Sequence, residues 1–187
     1  MDFDQIYKQV ENLKGWMGRP DCLALHEATR SLKNARIVEI GTFMGISAKV
    51  MALSSPTSHV TCIDPYLTVH PSSGLSDPEY VYEQCRKAIS GLNCTLIRDL
   101  SENVGKTWDK PIDFLHIDGD HRCWPLTKDI FLFVPHVKSG GYVFFHDYVV
   151  NGSEDEGGMV KEVVNFFKDQ FFDEVKTVSG FAACRRK

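Results

Sequence analysis

The chain has 187 residues, 43% of them apolar and 25% charged, and this length fits one globular domain with a sizeable core. Its 25 acidic and 21 basic residues give a net charge of −4, which argues against a nucleic-acid partner held by a basic surface. No apolar run reaches the ~20 residues of a membrane helix, and the start lacks the regions of a signal peptide. The six cysteines include no CxxC pair and fit reduced thiols. We therefore expect a cytoplasmic protein with neither nucleic acid nor a membrane as its partner.

The first half of the chain alternates between helical and strand-like patterns. Apolar residues at helical spacing predict helices, whereas short apolar runs that end at glycine or proline predict strands. Asp77 and Pro78 have the residue types of an N-cap and a first helical position. In chain order, the patterns predict helices over 3–13 and from Pro20, a strand over 35–40, a helix over 47–53, a strand over 60–64 and a helix from Asp77 to Gly91.

The second half continues this alternation and ends in two strands. Gly140 and Gly141 are expected to stop a helix that Pro135 kinks or shortens, and residues 185–187 are expected to form a solvated tail. Alternating strands and helices predict an α/β fold with a parallel sheet, and the closing hairpin adds an antiparallel edge. In chain order, the patterns predict strands over 94–97 and 112–117, a helix from Pro125, a strand over 142–145, a helix after a capping box of Ser153 and Glu156, and a hairpin of 175–178 with 181–184.

Ligands of parallel sheets bind outside the carboxyl ends of the strands, and the first such end carries a glycine-containing turn. Residues 39–47 place Gly41 and Gly45 between the first strand and the next helix. The glycines let the backbone turn tightly and approach a ligand, and the helix start at Ser47 favours an anionic group such as a carboxylate. Phe43 occupies the second glycine position of the dinucleotide fingerprint, which disfavours a nicotinamide-dependent dehydrogenase.

Acidic and imidazole side chains follow three further strands. Asp64 ends the second strand, where a carboxylate commonly accepts hydrogen bonds from ribose hydroxyls; the alternative is a plain turn residue. Asp118 and the pair His146-Asp147 end two more strands, and neighbouring strands lie ~4.8 Å apart, so the two carboxylates could share one divalent ion. Carboxylate and imidazole ligands suit magnesium, manganese or iron better than structural zinc. His146 could be a ligand itself, or could stand beside the ion and form a hydrogen bond to a ligand.

His121 follows Asp118 by three residues, on a loop that faces the proposed metal site. A histidine titrates near neutral pH and is therefore suited to abstracting a proton from a hydroxyl group. Asp120 could do this instead, or could orient the histidine. Of the two catalytic candidates, we favour His121 as the general base.

Three stretches of the sequence together resemble one enzyme family. Residues 38–47, VEIGTFMGIS, resemble the first motif of class I S-adenosylmethionine-dependent methyltransferases, and are most similar to the catechol O-methyltransferase-like branch. Residues 112–121 and 140–148 are similar to the group that includes macrocin O-methyltransferases and cephalosporin-hydroxylase-like proteins. The resemblance implies a Rossmann-like three-layer sandwich with a mostly parallel seven-stranded sheet and a C-terminal antiparallel hairpin. It also implies a single methyltransferase domain over 1–187, with helices in 1–34 and the core in 35–187.

Position by position, the resemblance implies a binding site for S-adenosylmethionine. The implied cofactor contacts are Glu39, Gly41 and Gly45 around the methionine end, Ser47 near its carboxylate, Asp64 at the ribose hydroxyls, Ser101 at the adenine and Asp118 near the methionine portion.

The resemblance also implies a metal site and a base. Asp118 would be one metal ligand and Asp147 a second. The catechol branch has Asp-Asn where this chain has His146-Asp147, and a lysine base where this chain has His121. The third position of the metal set, His146, is therefore the point at which this chain departs from that branch.

The activity implied is methyl transfer from S-adenosylmethionine to a hydroxyl group of a small molecule, a sugar or a phenol, with the assistance of Mg²⁺ or another divalent metal. Alternatives within the same fold are a cephalosporin-hydroxylase-like enzyme and a non-catalytic cofactor-binding protein. Little of the chain remains for a separate substrate domain, so the acceptor would be met by short loops or by a neighbouring subunit of a homo-oligomer.

Overall fold

The computed structural model describes residues 1–69, 71–149 and 158–187. The helices are α1 (Phe3–Tyr7), α2 (Arg19–Thr29), α3 (Ile46–Ser54), α4 (Pro78–Ala88), α5 (Ser101–Lys106), α6 (Cys123–Phe133) and α7 (Gly158–Phe171). The strands are β1 (Arg36–Ile40), β2 (His59–Ile63), β3 (Cys94–Ile97), β4 (Ile112–Ile117), β5 (Val137–Phe145), β6 (Phe172–Val178) and β7 (Phe181–Arg186). Within these ranges, no helix is both long enough and apolar enough to cross a membrane.

The seven strands form one sheet in the order β3-β2-β1-β4-β5-β7-β6. Strands β1 to β5 are parallel, and β7 is antiparallel to both β5 and β6. The strand order reverses between β1 and β4, which lie side by side at the centre of the sheet. The crevice at such a reversal is where parallel sheets bind their ligands, outside the carboxyl ends of the strands. The topology confirms the predicted α/β, Rossmann-like sandwich with its antiparallel terminal hairpin.

Helices cover both faces of the sheet, because side chains of each strand alternate between the two. On one face, Ile37 and Phe114 belong to a core shared with α1 to α4. On the other, Val38 and Leu115 belong to a core shared with α6 and α7. The predicted apolar stripes of the helices are buried in these two layers, so burial of apolar area on both sides holds the sheet in place.

Most predicted elements lie where the sequence pattern puts them. Strands β3 and β4 have the predicted ends, and α4 is capped by Asp77, whose carboxylate accepts a hydrogen bond from the Glu79 N–H at 2.9 Å. The terminal hairpin turns at Ser179 and Gly180 as expected, and all six cysteines are free thiols. The capping box predicted at Ser153 and Glu156 lies outside the described residues.

Two predictions about helix ends are wrong. Helix α1 ends at Tyr7, and the apolar residues up to residue 13 continue as turns rather than as helix. Gly140 and Gly141 do not stop a helix, because α6 already ends at Phe133 and β5 runs through both glycines. Gly140 has a φ of +78°, and the pairing of β4 with β5 shifts register here, so the glycines make an irregularity inside a strand.

The predicted solvated tail is also wrong for its first two residues. Arg185 and Arg186 belong to β7 and pair with β5 and β6. The Arg186 guanidinium lies over the Phe171 ring, 5.7 Å from its centroid, and donates a hydrogen bond to the Val134 carbonyl at 3.3 Å. The sequence pattern missed this because arginine stems can cover apolar surface while the charge stays near water.

Candidate functional site

The glycine-containing loop after β1 is a strained, closely packed turn. Gly41 and Gly45 have φ angles of +80° and +83°, and Phe43 between them has +47°, which a non-glycine residue rarely adopts. A side-chain carbon built on Gly41 would lie 2.0 Å from the Asp118 carbonyl oxygen, so only glycine fits at this position. Gly45 precedes α3, and Ser47 is buried in the first turn of that helix.

The Asp64 carboxylate holds this loop in shape. One of its oxygens accepts hydrogen bonds from the N–H groups of Thr42 and Phe43, at 3.0 and 2.9 Å, and the other accepts from the Tyr66 N–H at 2.9 Å. Burial raises the pKa of the Asp64 carboxyl group, and the three N–H donors only partly offset this. The oxygen bonded to Tyr66 keeps a lone pair for a further donor such as a ribose hydroxyl, whereas the other oxygen already accepts two hydrogen bonds.

The sequence analysis missed the buried hydrogen-bond partner of Glu39, the residue that lies just before this loop. Glu39 on β1 lies beside His116 on β4 in the parallel register, and both side chains are 0% exposed. His116 Nδ1 is 3.1 Å from the Glu39 carboxylate. The signal that could have found the pair is its position, because each residue is a polar interruption in an otherwise apolar central strand.

Four side chains meet where β4 and β5 end. His146 Nδ1 lies 3.2 Å from one oxygen of Asp118 and 3.2 Å from one oxygen of Asp147. The two ring nitrogens of His121 lie 3.4 Å from Asp118 and 3.4 Å from Asp147. One ligand atom each from Asp118, His121 and Asp147 lie within 4.8 Å of one another, so these three residues form a candidate metal site.

The electrostatics of these four groups are tightly coupled. Burial lowers the pKa of His146, but the carboxylates of Asp118 and Asp147 outweigh it and raise the pKa to about 11. Burial likewise lowers the pKa of His121, and the same two carboxylates raise it above its ordinary value. Burial raises the pKa of Asp118, and the neighbouring imidazoles hold it below its usual range. The arrangement therefore favours charged carboxylates facing a positive charge, which a divalent ion could also supply.

Two further predicted residues have partners of their own. Asp120 accepts hydrogen bonds from the Arg122 guanidinium at 2.9 Å and from its N–H at 3.0 Å, and this pairing lowers the Asp120 pKa. Ser101 donates a hydrogen bond to Asp129 at 2.6 Å. Burial raises the pKa of Asp129 to about 6, and a side-chain carbon on Gly119 would lie 3.7 Å from its other oxygen. The sequence analysis missed Asp129, which links the loops after β3 and β4.

Backbone strain is concentrated at this end of the sheet. Phe43, Tyr66 and Asp147 have φ angles of +47°, +48° and +54°, and they follow β1, β2 and β5 respectively. Left-handed conformations of non-glycine residues cost energy and persist only where the surroundings enforce them. Their position next to Asp64 and Asp118 fits a pre-organised binding site.

Unsatisfied polar atoms lie in the same place. Among residues 1–69, 71–149 and 158–187, buried side-chain atoms without a hydrogen bond are Glu39 Oε2, Thr42 Oγ1, His116 Nε2 and His121 Nε2. Buried polar groups in proteins are nearly always paired, so unpaired ones call for a ligand, an ion or a water. All four belong to β1, β4 or the loops that follow them.

A methyltransferase domain model matches residues 38–148, more than half of the chain and the whole of the site. The chain belongs to the methyltransferase domain family. This match spans the glycine-containing loop and both strands that carry the candidate metal site.

Individual proteins resemble this chain in sequence or in fold. A protein of Acanthamoeba polyphaga mimivirus, described as uncharacterised, is 32% identical over 116 residues, which are 59% of this chain and 50% of that protein. The match with this curated relative thus spans about half of its length. An O-methyltransferase from Bacillus cereus in complex with S-adenosylhomocysteine has a TM-score of 0.69 at 15% identity, covering 99% of this chain and 90% of its own. MycE methyltransferase of the mycinamycin biosynthetic pathway, in complex with Mg and S-adenosylhomocysteine, has a TM-score of 0.66 at 14% identity. The match covers 100% of this chain and 55% of the MycE chain. At these identities, the structures share the fold of the methyltransferase domain.

Proposed function

We propose that the protein is an S-adenosylmethionine-dependent O-methyltransferase acting on a hydroxyl group of a small molecule, a sugar or a phenol, with the assistance of a divalent metal. The observation that carries the proposal is the clustering of unpaired buried polar atoms around the strained loop of a methyltransferase domain. Bound S-adenosylmethionine supplies an electrophilic methyl group on a sulfonium centre.

The residues of the loop suit the two ends of this cofactor. Glu39 keeps one unpaired carboxylate oxygen for an ammonium group, and the start of α3 at Ile46 and Ser47 favours a carboxylate. Asp64 would accept from ribose hydroxyls while it holds the loop. Gly41 and Gly45 would allow the cofactor to approach the backbone. Ser101, already bonded to Asp129, would lie at the adenine.

The methyl transfer itself requires two contributions from the residues of the chain. It has to hold acceptor and methyl donor in line, and alignment of this kind supplies up to roughly 7–11 kcal/mol. It also has to take the proton of the acceptor hydroxyl. His121 lies between two carboxylates that raise its pKa and increase its basicity, whereas Asp120 is engaged by Arg122. We therefore propose His121 as the base.

The donor set fits a divalent ion. Asp118 and Asp147 would hold it, and an imidazole would complete the protein ligands. Both imidazoles lie near the two acids; His146, which the sequence analysis selected, has Nδ1 3.2 Å from an oxygen of each acid and as a ligand would leave His121 free to act as the base. The ion would lower the pKa of a bound acceptor hydroxyl and orient it. If chelation leaves turnover unchanged, the metal role is contradicted and the transferase role stands.

Calorimetry with S-adenosylhomocysteine tests the cofactor site. Wild-type protein is expected to bind it. Asp64→Ala is expected to weaken binding by about tenfold or more, because a hydrogen bond to a charged group contributes roughly 1.5–3 kcal/mol. Asp113→Asn is the matched control, since Asp113 also accepts a backbone N–H, from Arg36, but at the amino end of β4. Absence of binding by folded wild-type protein would overturn the proposed function.

We also infer that the chain is one methyltransferase domain. Residues 1–34 contribute α1 and α2, which share the core on one face of the sheet with α3, and residues 35–187 contribute the sheet and the remaining helices. A homo-oligomeric state and a cytoplasmic location stay predictions.

A further inference from the structure

His116 is a buried polar residue of the site to which the proposed function gives no role. It lies inside β4, and its neighbours across the sheet are Glu39 on β1 and Phe144 on β5. Its ring also contacts the edge of Phe181 on β7, at 5.7 Å between centroids. The side chain is 0% exposed, and a buried imidazole among aromatic rings costs free energy unless its nitrogens are bonded.

His116 and Glu39 share a hydrogen bond in which Nδ1 lies 3.1 Å from Oε1. An ionised carboxylate only accepts hydrogen bonds, so a bond to such a carboxylate needs the His116 tautomer with a proton on Nδ1. This bond fixes a flexible glutamate side chain by one oxygen. The second oxygen, Oε2, is buried and makes no hydrogen bond within the described residues.

A free, oriented carboxylate oxygen at this place fits an ammonium group. Glu39 lies two residues before Gly41, at the start of the strained loop, and α3 begins at the other end of that loop. An amino acid has an ammonium and a carboxylate group a few ångströms apart, and the start of α3 attracts the carboxylate. The ammonium group then faces the Glu39 side of the loop.

We propose that His116 is a positioning residue that orients the Glu39 carboxylate so that its free oxygen receives the ammonium group of the cofactor's amino-acid end. The inference rests on the proposed function, because it takes the ligand to be S-adenosylmethionine. His116 does not touch the reacting atoms; it acts through Glu39. Without the Nδ1–H donor, the carboxylate loses its fixed orientation and the ammonium group loses its partner.

Two ligands that differ only in the amino-acid end separate positioning from general damage. S-adenosylhomocysteine has that end, whereas methylthioadenosine has the adenosine and the sulfur but no amino-acid group. His116→Leu removes the donor and is expected to weaken S-adenosylhomocysteine binding by about tenfold or more, while methylthioadenosine binding stays within about twofold. His116→Asn keeps an N–H donor near the position of Nδ1 and is expected to recover most of the affinity.

Phe144→Leu is the matched control for packing. Phe144 neighbours His116 on β5 and contacts the same Phe181 ring, at 5.5 Å, but offers no hydrogen bond. This variant is expected to lower the unfolding temperature without changing the ratio of the two ligand affinities. If His116→Leu does not fold, His116→Gln, which moves the amide donor away from the Nδ1 position, replaces it with the same expected loss.

The outcomes distinguish this inference from the proposed function. If wild-type protein binds S-adenosylhomocysteine and the folded His116 variants bind it equally well, the positioning role is overturned and the proposed function stands. Equal losses for both ligands would also overturn it, because they indicate a general structural role. If folded wild-type protein binds neither ligand, the proposed function fails and the inference fails with it.

Discussion

The two ends of strand β4 carry aspartates in opposite situations. At the amino end, Asp113 accepts the Arg36 N–H at 2.8 Å and pairs with Lys138, so both of its oxygens have donors from the chain. At the carboxyl end, Asp118 faces His121 and His146, and polar atoms nearby remain without hydrogen bonds. At the amino end of the strand the aspartate is paired by the chain itself, whereas at the carboxyl end buried polar atoms stay unpaired within the described residues.

The same difference holds for the neighbouring strands. At the amino end of β2, His59 bonds Asn93 at 2.9 Å and Thr95 at 3.1 Å. At the carboxyl ends, the backbone is strained at Phe43 and Asp147, and carboxylates lie beside other charged groups. Strain and unpaired polar groups cost stability, so their accumulation at one end supports the proposal that ligands bind there.

The largest expected difference between the two ends concerns glycines. Gly41→Ala puts a carbon 2.0 Å from the Asp118 carbonyl at a φ of +80°, whereas at Gly140, with a φ of +78°, no atom lies within 4 Å of the added carbon. Gly41→Ala should therefore lower the free energy of unfolding by at least about 4 kcal/mol, and Gly140→Ala by only about 1–2 kcal/mol. Urea denaturation measures both. Similar losses in the two variants would contradict the close packing of the loop.

Asp118 and Asp113 are expected to differ in their contribution to metal affinity. Asp118→Asn removes a charge from the candidate metal site and should weaken Mn²⁺ binding by about 100-fold or more, while Asp113→Asn should leave it within about twofold. Electron paramagnetic resonance of free Mn²⁺ measures the affinity of each variant. Unchanged Mn²⁺ affinity in Asp118→Asn would show that this acid is not a ligand.

The smallest expected effect concerns the pH dependence of stability. The pKa of Asp129 is raised from 3.8 to about 6 by burial, so its ionised form destabilises the folded state above pH 6 and this cost disappears as the pH falls below 4. Asp129→Asn keeps an acceptor for Ser101 without the charge. Relative to wild type, this variant should gain about 2 kcal/mol between pH 4 and pH 7.5.

Asp113 is expected to affect the pH dependence of stability in the opposite direction to Asp129. Burial raises its pKa, but the Arg36 N–H and Lys138 prevail and lower it, so its contribution to stability is present at neutral pH and lost in acid. Asp113→Asn should therefore lose stability relative to wild type as the pH rises through the acid range to about 4, and the difference should change little from pH 4 to 7.5. Thermal unfolding at a series of pH values measures both variants, and slopes of the same sign would refute the contrast.

Local signals were sufficient for much of the fold. Strands β3 and β4 are apolar runs with clear ends, and Asp77-Pro78 is a helix start that needs no partner elsewhere in the chain. Gly140 and Gly141 misled because a glycine pair stops a helix or bends a strand with equal ease, and the pairing of β5 with β4 decided between them.

The sequence by itself determined the order of strands and helices, the glycine-containing loop and the acids that end the strands, because these depend on residues close together in the chain. The tertiary structure decided which groups contact each other. Glu39 lies beside His116, Asp64 accepts from the N–H groups of Phe43 and Thr42, and His146 lies between two carboxylates. Those pairs join strands far apart in sequence, and a parallel register sets their distances only once the sheet has formed.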